Sequence, residues 1–141
     1  MKKILFVRQL AMNITKTIGK KKAAATANRS GAVDSRTRQI MAKWLENKGW
    51  GENLSLEQLS EKLGLSKQKI NLYAYCLYRV SFLRWRRELR IEEAKRLLIE
   101  DKKVPTALIG EYVGISDKSN FRRQFKEATG YTPAEWRALK H

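Results

Sequence analysis

Residues 118–126 concentrate side chains that can bind an anion. Arg122 and Arg123 lie between Phe121 and Phe125, which are one helical turn apart. The phenylalanine pair predicts a buried helical stripe, so the cations are expected on the exposed face of the same helix. A guanidinium there can donate paired hydrogen bonds to guanine or to a phosphate. The candidate contact residues of this stretch are Lys118, Asn120, Arg122, Arg123 and Lys126.

The composition of the whole chain indicates the same kind of partner. Its 141 residues include 30 Lys and Arg against 14 Asp and Glu, a formal net charge of +16. A surplus this large favours nucleic acid as the partner, ahead of an anionic membrane surface. No stretch approaches the roughly 20 apolar residues that a membrane span requires, and the N-terminal apolar run lacks a signal-peptide cleavage site. We therefore expect a cytoplasmic protein with no membrane partner.

Cysteine and histidine usage argues against catalysis. Cys76 is the one cysteine and His141 the one histidine, so neither a disulfide framework, a usual zinc site nor a Cys/His nucleophile can be assembled. The sequence also lacks paired catalytic acids and a phosphate-binding loop. We expect no enzyme activity, no metal and no cofactor, and we interpret Cys76 as a small packing residue in a reducing compartment.

Charge is distributed unevenly along the chain. Residues 1–33 contain eight cations and no acid, with few large apolar side chains. This composition predicts a flexible basic arm or linker. It would follow the minor groove or a phosphate strand of DNA, or be the remnant linker of a larger protein without a role of its own.

Residues 34–141 predict an all-α fold, because apolar residues recur at helical spacing and no alternating strand pattern is present. Helices are expected over about 34–48, 81–100 and 106–113, with others starting after Ser55, Ser66, Ser116 and Thr132. Gln58 and Glu135 would complete capping boxes with Ser55 and Thr132.

An internal repeat organises these helices. The segment LSEKLGLS (59–66) matches IGEYVGIS (109–116) at an offset of 50 residues. Each copy predicts a short helix, a glycine turn, an apolar plug, a serine cap and a second helix, which is a helix-turn-helix unit. The predicted architecture is a first unit over about 55–78, a connecting helix over about 81–100 and a second unit over about 106–128.

The length of the connecting helix suggests how the two units could bind DNA. About 20 residues span ~30 Å, close to the ~34 Å of one B-DNA turn. A single chain could then place two recognition helices in successive major grooves without dimerising, and some bending of the DNA would help the fit.

The chain at this point resembles the DNA-binding domain of the AraC/XylS family of bacterial transcription regulators. The resemblance covers about residues 34–139. It is carried by Ile109, Gly114-Ile115-Ser116, the phenylalanine pair, GYTPAEWR (130–137) and the long-helix segment LRIEEAKRLL (89–98). It implies two homeodomain-like helix-turn-helix subdomains joined by a long helix and bound to double-stranded promoter DNA. Members act as activators or, less often, as repressors, with RNA polymerase as a possible partner.

The resemblance also implies contact residues by matching position. The second unit would use Lys118, Ser119, Asn120, Arg122 and Arg123, and the first Lys67, Gln68, Asn71 and Leu72. The chemistry agrees, because the amides of Gln68 and Asn71 can pair with adenine and Leu72 can contact a thymine methyl group.

The first unit departs from the family pattern. With Ile70 aligned to Phe121, Ala74 replaces a second large anchor and Arg79 replaces a turn glycine. Tyr73 and Tyr75 are the candidates to fill the space beside Ala74, and the recognition helix would either break at Arg79 or continue through it. In the second unit, Gly110 stands where alanine is usual, and Pro105 where a capping Ser or Thr is common.

Several residues keep two interpretations. In the cluster RWRRELR (84–90), some arginines would pair with Glu88, Glu92 or Glu93, while Arg84 or Arg86 would contact the DNA backbone. Trp50 would be either packed or exposed.

Three functions remain open from the sequence. They are a stand-alone sequence-specific regulator, the DNA-binding end of a longer sensor, and a non-specific architectural protein whose charge does all the binding.

Overall fold

The computed structural model describes residues 33–139, and these residues form helices and turns with no strand. The predicted all-α class is therefore confirmed. The basic arm predicted for residues 1–33 lies outside the described part except for its last residue. In chain order the helices are α1 (Ser35–Glu46), α2 (Leu56–Leu63), α3 (Lys67–Tyr78), α4 (Phe82–Glu100), α5 (Thr106–Tyr112), α6 (Lys118–Thr129) and α7 (Pro133–Ala138), with a 3-10 turn at Gly49–Gly51.

The chain divides into two compact units, and the boundary falls within α4. The described part of the first unit comprises residues 33–49 and 54–86, with α2 and α3 as its helix-turn-helix pair. The second comprises residues 50–53 and 87–139, with α5 and α6 as its pair. The segment Trp50–Asn53, which we call the strap, therefore belongs to the second unit although it precedes α2 in the chain.

Side-chain caps start most of the helices where the sequence predicts them. The Ser55 hydroxyl accepts the Gln58 backbone N–H at 3.1 Å, and the Gln58 side chain accepts the Ser55 N–H at 2.9 Å. Thr132 and Glu135 form the same reciprocal capping box at α7. Hydrogen bonds from the backbone and hydroxyl of Thr132 hold the pKa of Glu135 below its usual value.

The second recognition helix begins one residue later than predicted. Asp117, not Ser116, is the N-cap of α6, and its carboxylate accepts the Asn120 backbone N–H at 2.7 Å. The Ser116 hydroxyl instead accepts a hydrogen bond from the Asn53 side chain at 3.1 Å. The predicted serine cap is wrong because the carboxylate at the next position satisfies the free N–H groups, which lengthens this turn by one residue.

The core of the first unit is an aromatic cluster. Tyr78 stacks on Trp85 with ring centroids 4.5 Å apart, while Trp44 and Tyr73 lie 5.4 and 5.9 Å from the same ring. Of the two candidates to fill the space beside Ala74, Tyr73 is buried in this core, whereas Tyr75 is 53% exposed and lies outside it. Large rings from neighbouring positions replace the anchor that Ala74 lacks.

The recognition helix α3 ends at Tyr78, so of the two alternatives for Arg79 the structure shows the break. Arg79 has a left-handed backbone, with φ of 61°, and its N–H donates to the Tyr75 carbonyl at 3.0 Å. Gly130 ends α6 in the same way with φ of 84°. Both units therefore use the same left-handed stop, although only the second has the residue type suited to it.

The core of the second unit explains Gly110. Phe121 and Phe125 are 2% and 0% exposed, and Phe125 meets Trp136 edge-on at 6.0 Å. A Cβ atom on Gly110 would lie 2.8 Å from Cγ of Phe121. The same atom would lie 2.9 Å from the backbone oxygen of Ile115, in the turn between α5 and α6. Glycine fits here because a methyl group would be too close both to Phe121 and to this turn.

The left-handed arginine gives a first prediction. We expect Arg79→Gly to raise the free energy of unfolding by about 0.5–1 kcal/mol, since glycine removes the ~1–2 kcal/mol cost of this conformation but has a larger unfolded-state entropy. Arg38→Gly, at an exposed interior position of α1, is the control and should destabilise by about 1 kcal/mol. Urea unfolding measures both, and a destabilised Arg79→Gly variant would contradict the assignment.

The close helix approach gives a second prediction. Gly110→Ala should lower the free energy of unfolding by about 1–2 kcal/mol, because overpacking outweighs the better helix propensity of alanine. Adding Phe121→Leu to Gly110→Ala should recover part of what each change costs alone, since the smaller side chain can move aside. Simple additivity of the two losses in denaturant titrations would argue against direct contact.

Candidate nucleic-acid interface

The helix α6 separates its anchors from its cations. Phe121 and Phe125 are buried on one side, while other positions of the helix are exposed. The exposed candidates are Lys118, Ser119, Arg122, Arg123 and Lys126. The remaining candidate, Asn120, is half-buried. The helix therefore presents a strongly cationic surface that its own core contacts hold in place.

A polar network orients Arg123 on this surface. The side-chain oxygen of Asn120 accepts hydrogen bonds from the Arg123 guanidinium and from Gln124, the latter at 3.1 Å. A second guanidinium nitrogen lies 3.4 Å from Glu127. Glu127 also lies 3.9 Å from the guanidinium of Arg87, on α4. The orientation of Arg123 is thus restrained on two sides.

Other cations of α6 are not tied in this way. None of the hydrogen bonds or ion pairs found within residues 33–139 involves the side chains of Lys118 or Arg122. Lys126 and Arg122 act on Glu135 only through their charge, which helps lower its pKa after the Thr132 hydrogen bonds. These side chains remain available to an anionic ligand.

The strap holds the turn between α5 and α6. Arg90 is only 8% exposed, and it donates to the carbonyls of Trp50 and Glu52, the latter at 2.8 Å. A Cβ atom on Gly114, whose φ is 92°, would lie 2.9 Å from the Gly51 carbonyl and 3.0 Å from the Arg90 guanidinium. Trp50 is therefore a packed residue, and Arg90 positions the turn that precedes the recognition helix.

Arg86 on α4 is held by a backbone carbonyl of its own unit. Arg86 is half-buried and donates to the Leu54 carbonyl, and burial lowers its pKa. It is therefore poorly placed to contact a DNA backbone. Glu92 pairs with Lys95 at 3.0 Å and Glu93 with Arg96 at 2.6 Å.

The four candidates on α3 do not form one exposed set. Lys67 and Gln68 are exposed, with Lys67 3.3 Å from Glu57. Leu72 and Asn71 are half-buried, and the Asn71 side-chain oxygen accepts the Phe82 backbone N–H at 3.1 Å. Pairing with adenine needs both the oxygen and the nitrogen of an amide. In this structure the oxygen of Asn71 instead holds the start of α4.

A family model described as a helix-turn-helix domain matches residues 59–139, more than half of the chain. The chain belongs to the AraC-type helix-turn-helix family. This is a family of DNA-binding transcription regulators, which confirms the function class expected from the sequence.

Two curated relatives of the AraC-type chain are arabinose operon regulatory proteins. Those of Escherichia coli (strain K12) and Salmonella typhimurium (strain LT2) are each 30% identical to it over 106 residues. The match includes 75% of this chain but 36% and 37% of the relatives, so the chain spans little more than a third of their length.

Solved structures show the same fold. The C-terminal domain of AraT, a response regulator from Geobacillus stearothermophilus, superposes with a TM-score of 0.65 at 25% identity, covering 77% of this chain and 88% of that domain. A Listeria innocua protein of unknown function has a TM-score of 0.63 at 22% identity, covering 74% of this chain and 96% of its own.

Several ion pairs of the AraC-type chain escaped the sequence analysis. Glu127 follows Arg123 by four positions, a spacing that predicts an ion pair on a helix. Arg87 also lies near Glu127, and Lys69 lies 3.5 Å from Asp34. These pairs are distant in sequence, so no local spacing predicts them.

The described residues hold neither a candidate metal centre nor a candidate membrane span. No group of three or more His, Cys, Asp or Glu residues between 33 and 139 could hold a metal ion. No helix in that range is long and apolar enough to cross a membrane.

The cap on α4 gives a third prediction. Asn71→Ala should lower the free energy of unfolding by about 1 kcal/mol because the Phe82 N–H loses its acceptor, while Asn71→Asp keeps an acceptor and should preserve stability. Gln68→Ala, at an exposed position on the same helix, is the control and should change stability by less than about 0.5 kcal/mol. Thermal and urea unfolding distinguish these variants. Wild-type stability of Asn71→Ala would mean that the cap is unimportant.

Proposed function

We propose that this chain is a sequence-specific regulator of transcription that binds double-stranded promoter DNA, with α6 in a major groove. One observation carries the proposal: α6 is fixed by two buried phenylalanines and presents a cationic face on its exposed side. Arg122 and Arg123 would contact guanine or phosphate, and Lys118 and Lys126 would contact phosphate. Ser119 and Asn120 complete the contact surface.

The first unit is proposed to bind the adjacent groove through Lys67 and Gln68, with Leu72 against a thymine methyl group. Asn71 would join these contacts only if its bond to the Phe82 N–H were given up. The proposed arrangement has the two recognition helices in successive major grooves of one duplex. A monomer could then occupy both grooves, and bending of the DNA would improve the fit.

The wider role follows from the family and is also a proposal. We propose activation as the sign of regulation, RNA polymerase as a partner and the bacterial cytoplasm as the location. The two curated relatives are operon regulatory proteins nearly three times as long as the matched region. Two forms of the regulator are proposed: the DNA-binding end of a longer sensor, and a short stand-alone protein.

A non-specific architectural protein is the competing function, and the net charge of +16 favours it. Binding titrations of the protein at about 50 and 200 mM salt distinguish the two functions. One probe is a duplex that the protein has selected from a random library, and the other is a pool of random duplexes. A regulator should prefer the selected duplex by roughly a thousandfold or more. Equal affinities with the same steep salt slope would reject sequence-specific regulation.

A fourth prediction concerns Arg123. If this residue contacts a base, Arg123→Ala should weaken binding to the selected duplex by about 1–3 kcal/mol and weaken binding to random DNA less. Arg38→Ala, which removes an exposed arginine from α1 outside both helix-turn-helix pairs, is the charge-matched control and should affect the two probes equally. Equal losses for Arg123→Ala on both probes would assign Arg123 to phosphate.

A further inference from the structure

Glu127 is an acid on a helix that otherwise presents cations. It is the one Asp or Glu in the α6 segment KSNFRRQFKEAT. Its two carboxylate oxygens point to different partners, with Oε1 3.4 Å from Arg123 and Oε2 3.9 Å from Arg87. A negative charge so close to a surface proposed for DNA opposes the binding of phosphate, so its presence there requires a reason.

Stability does not supply that reason. The side chains of Arg123, Glu127 and Arg87 are 62%, 52% and 43% exposed. Ion pairs this exposed contribute little to folding because water and salt screen them and because two long side chains must be immobilised. The main effect of the pairing is therefore on how readily Arg123 and Arg87 bind an anionic ligand.

We infer that Glu127 is a specificity-determining residue that directs Arg123 toward bases and away from phosphates. The inference rests on the proposed sequence-specific DNA binding. A phosphate that approaches Arg123 brings a negative charge next to Glu127, which repels it. The N7 and O6 atoms of guanine are uncharged acceptors, and they bind the same guanidinium with far less repulsion. Glu127 thus weakens phosphate contacts, which carry no sequence information, more than it weakens guanine contacts, which do.

The network also prepares the geometry of a base contact. Asn120 and Glu127 hold two nitrogens of the Arg123 guanidinium. A guanidinium has five N–H donors in a fixed plane, so hydrogen-bond capacity remains for a ligand. Because the side chain is already restrained, less conformational entropy is lost when it binds a correctly placed guanine. Random DNA, which offers mainly phosphates to this position, does not benefit from that restraint.

Arg87 extends the effect to α4. It shares the carboxylate with Arg123, so Glu127 offsets the positive charge of two arginines at once. Removing the carboxylate would leave both guanidinium groups free to bind phosphates. Each additional phosphate that the protein neutralises steepens the dependence of log affinity on log salt by about 0.9. The inference therefore predicts both a change in specificity and a change in salt dependence.

The test is Glu127→Gln, which keeps the shape and removes the charge. Two probes are used: a duplex selected by the wild-type chain from a random library, and a pool of random duplexes. We expect affinity for random duplexes to rise about 3- to 10-fold with a salt slope steeper by about 1–2, and affinity for the selected duplex to change less than about 2-fold. Discrimination, the ratio of the affinity for the selected duplex to that for random duplexes, would fall accordingly. The midpoint of thermal unfolding should stay nearly constant. Glu46→Gln removes one exposed acid from α1 and should leave discrimination unchanged.

A double variant tests whether Glu127 acts through its arginine partners. In an Arg87→Ala/Arg123→Ala background, Glu127→Gln should have no further effect on discrimination. Equal increases in affinity on both probes for Glu127→Gln, or no change on either, would overturn the inference while leaving the proposed function standing. Failure of the wild-type chain itself to discriminate would instead reject the proposed function, and the inference with it.

Discussion

The close contact between α5 and α6 is the constraint on which the second unit depends. A Cβ atom on Gly110 would lie only 2.8 Å from the ring of Phe121. The two helices therefore pack at this distance because residue 110 is glycine. That approach buries one side of α6 and fixes which residues face outward. The cations of α6 therefore face outward because the opposite side of the helix is packed in the core. The strap and Arg90 hold the turn from which the helix starts.

Electrostatics then determines what this surface can distinguish. A net charge of +16 attracts any polyanion, so attraction alone gives affinity without selectivity. On the inference that Glu127 directs Arg123 toward bases, selectivity comes from the restraint and partial neutralisation of Arg123 by Asn120 and Glu127. Lys118 and Arg122, which lack such partners within residues 33–139, are suited to general phosphate contact. The second unit thus combines two kinds of cation on one helix.

Local patterns made much of this fold predictable, and long-range contacts account for the rest. The capping boxes at Ser55 and Thr132 and the buried phenylalanine pair follow from spacing within one helix. The cap at Asp117 was missed because two adjacent residues could both serve. Asn71 holds the start of α4 and Arg90 holds the strap, and both contacts join parts of the chain that are distant in sequence. Arg79 is left-handed because tertiary packing overrides the preference of its residue type.

The central claim is that recognition helices enter major grooves at defined positions. Hydroxyl-radical footprinting of the wild-type chain on a duplex it has selected tests this most directly. The account predicts two protected patches centred about 10 base pairs apart on one face of the duplex, as expected for successive major grooves. Uniform protection along the duplex at saturating protein, with no preferred position, would contradict it.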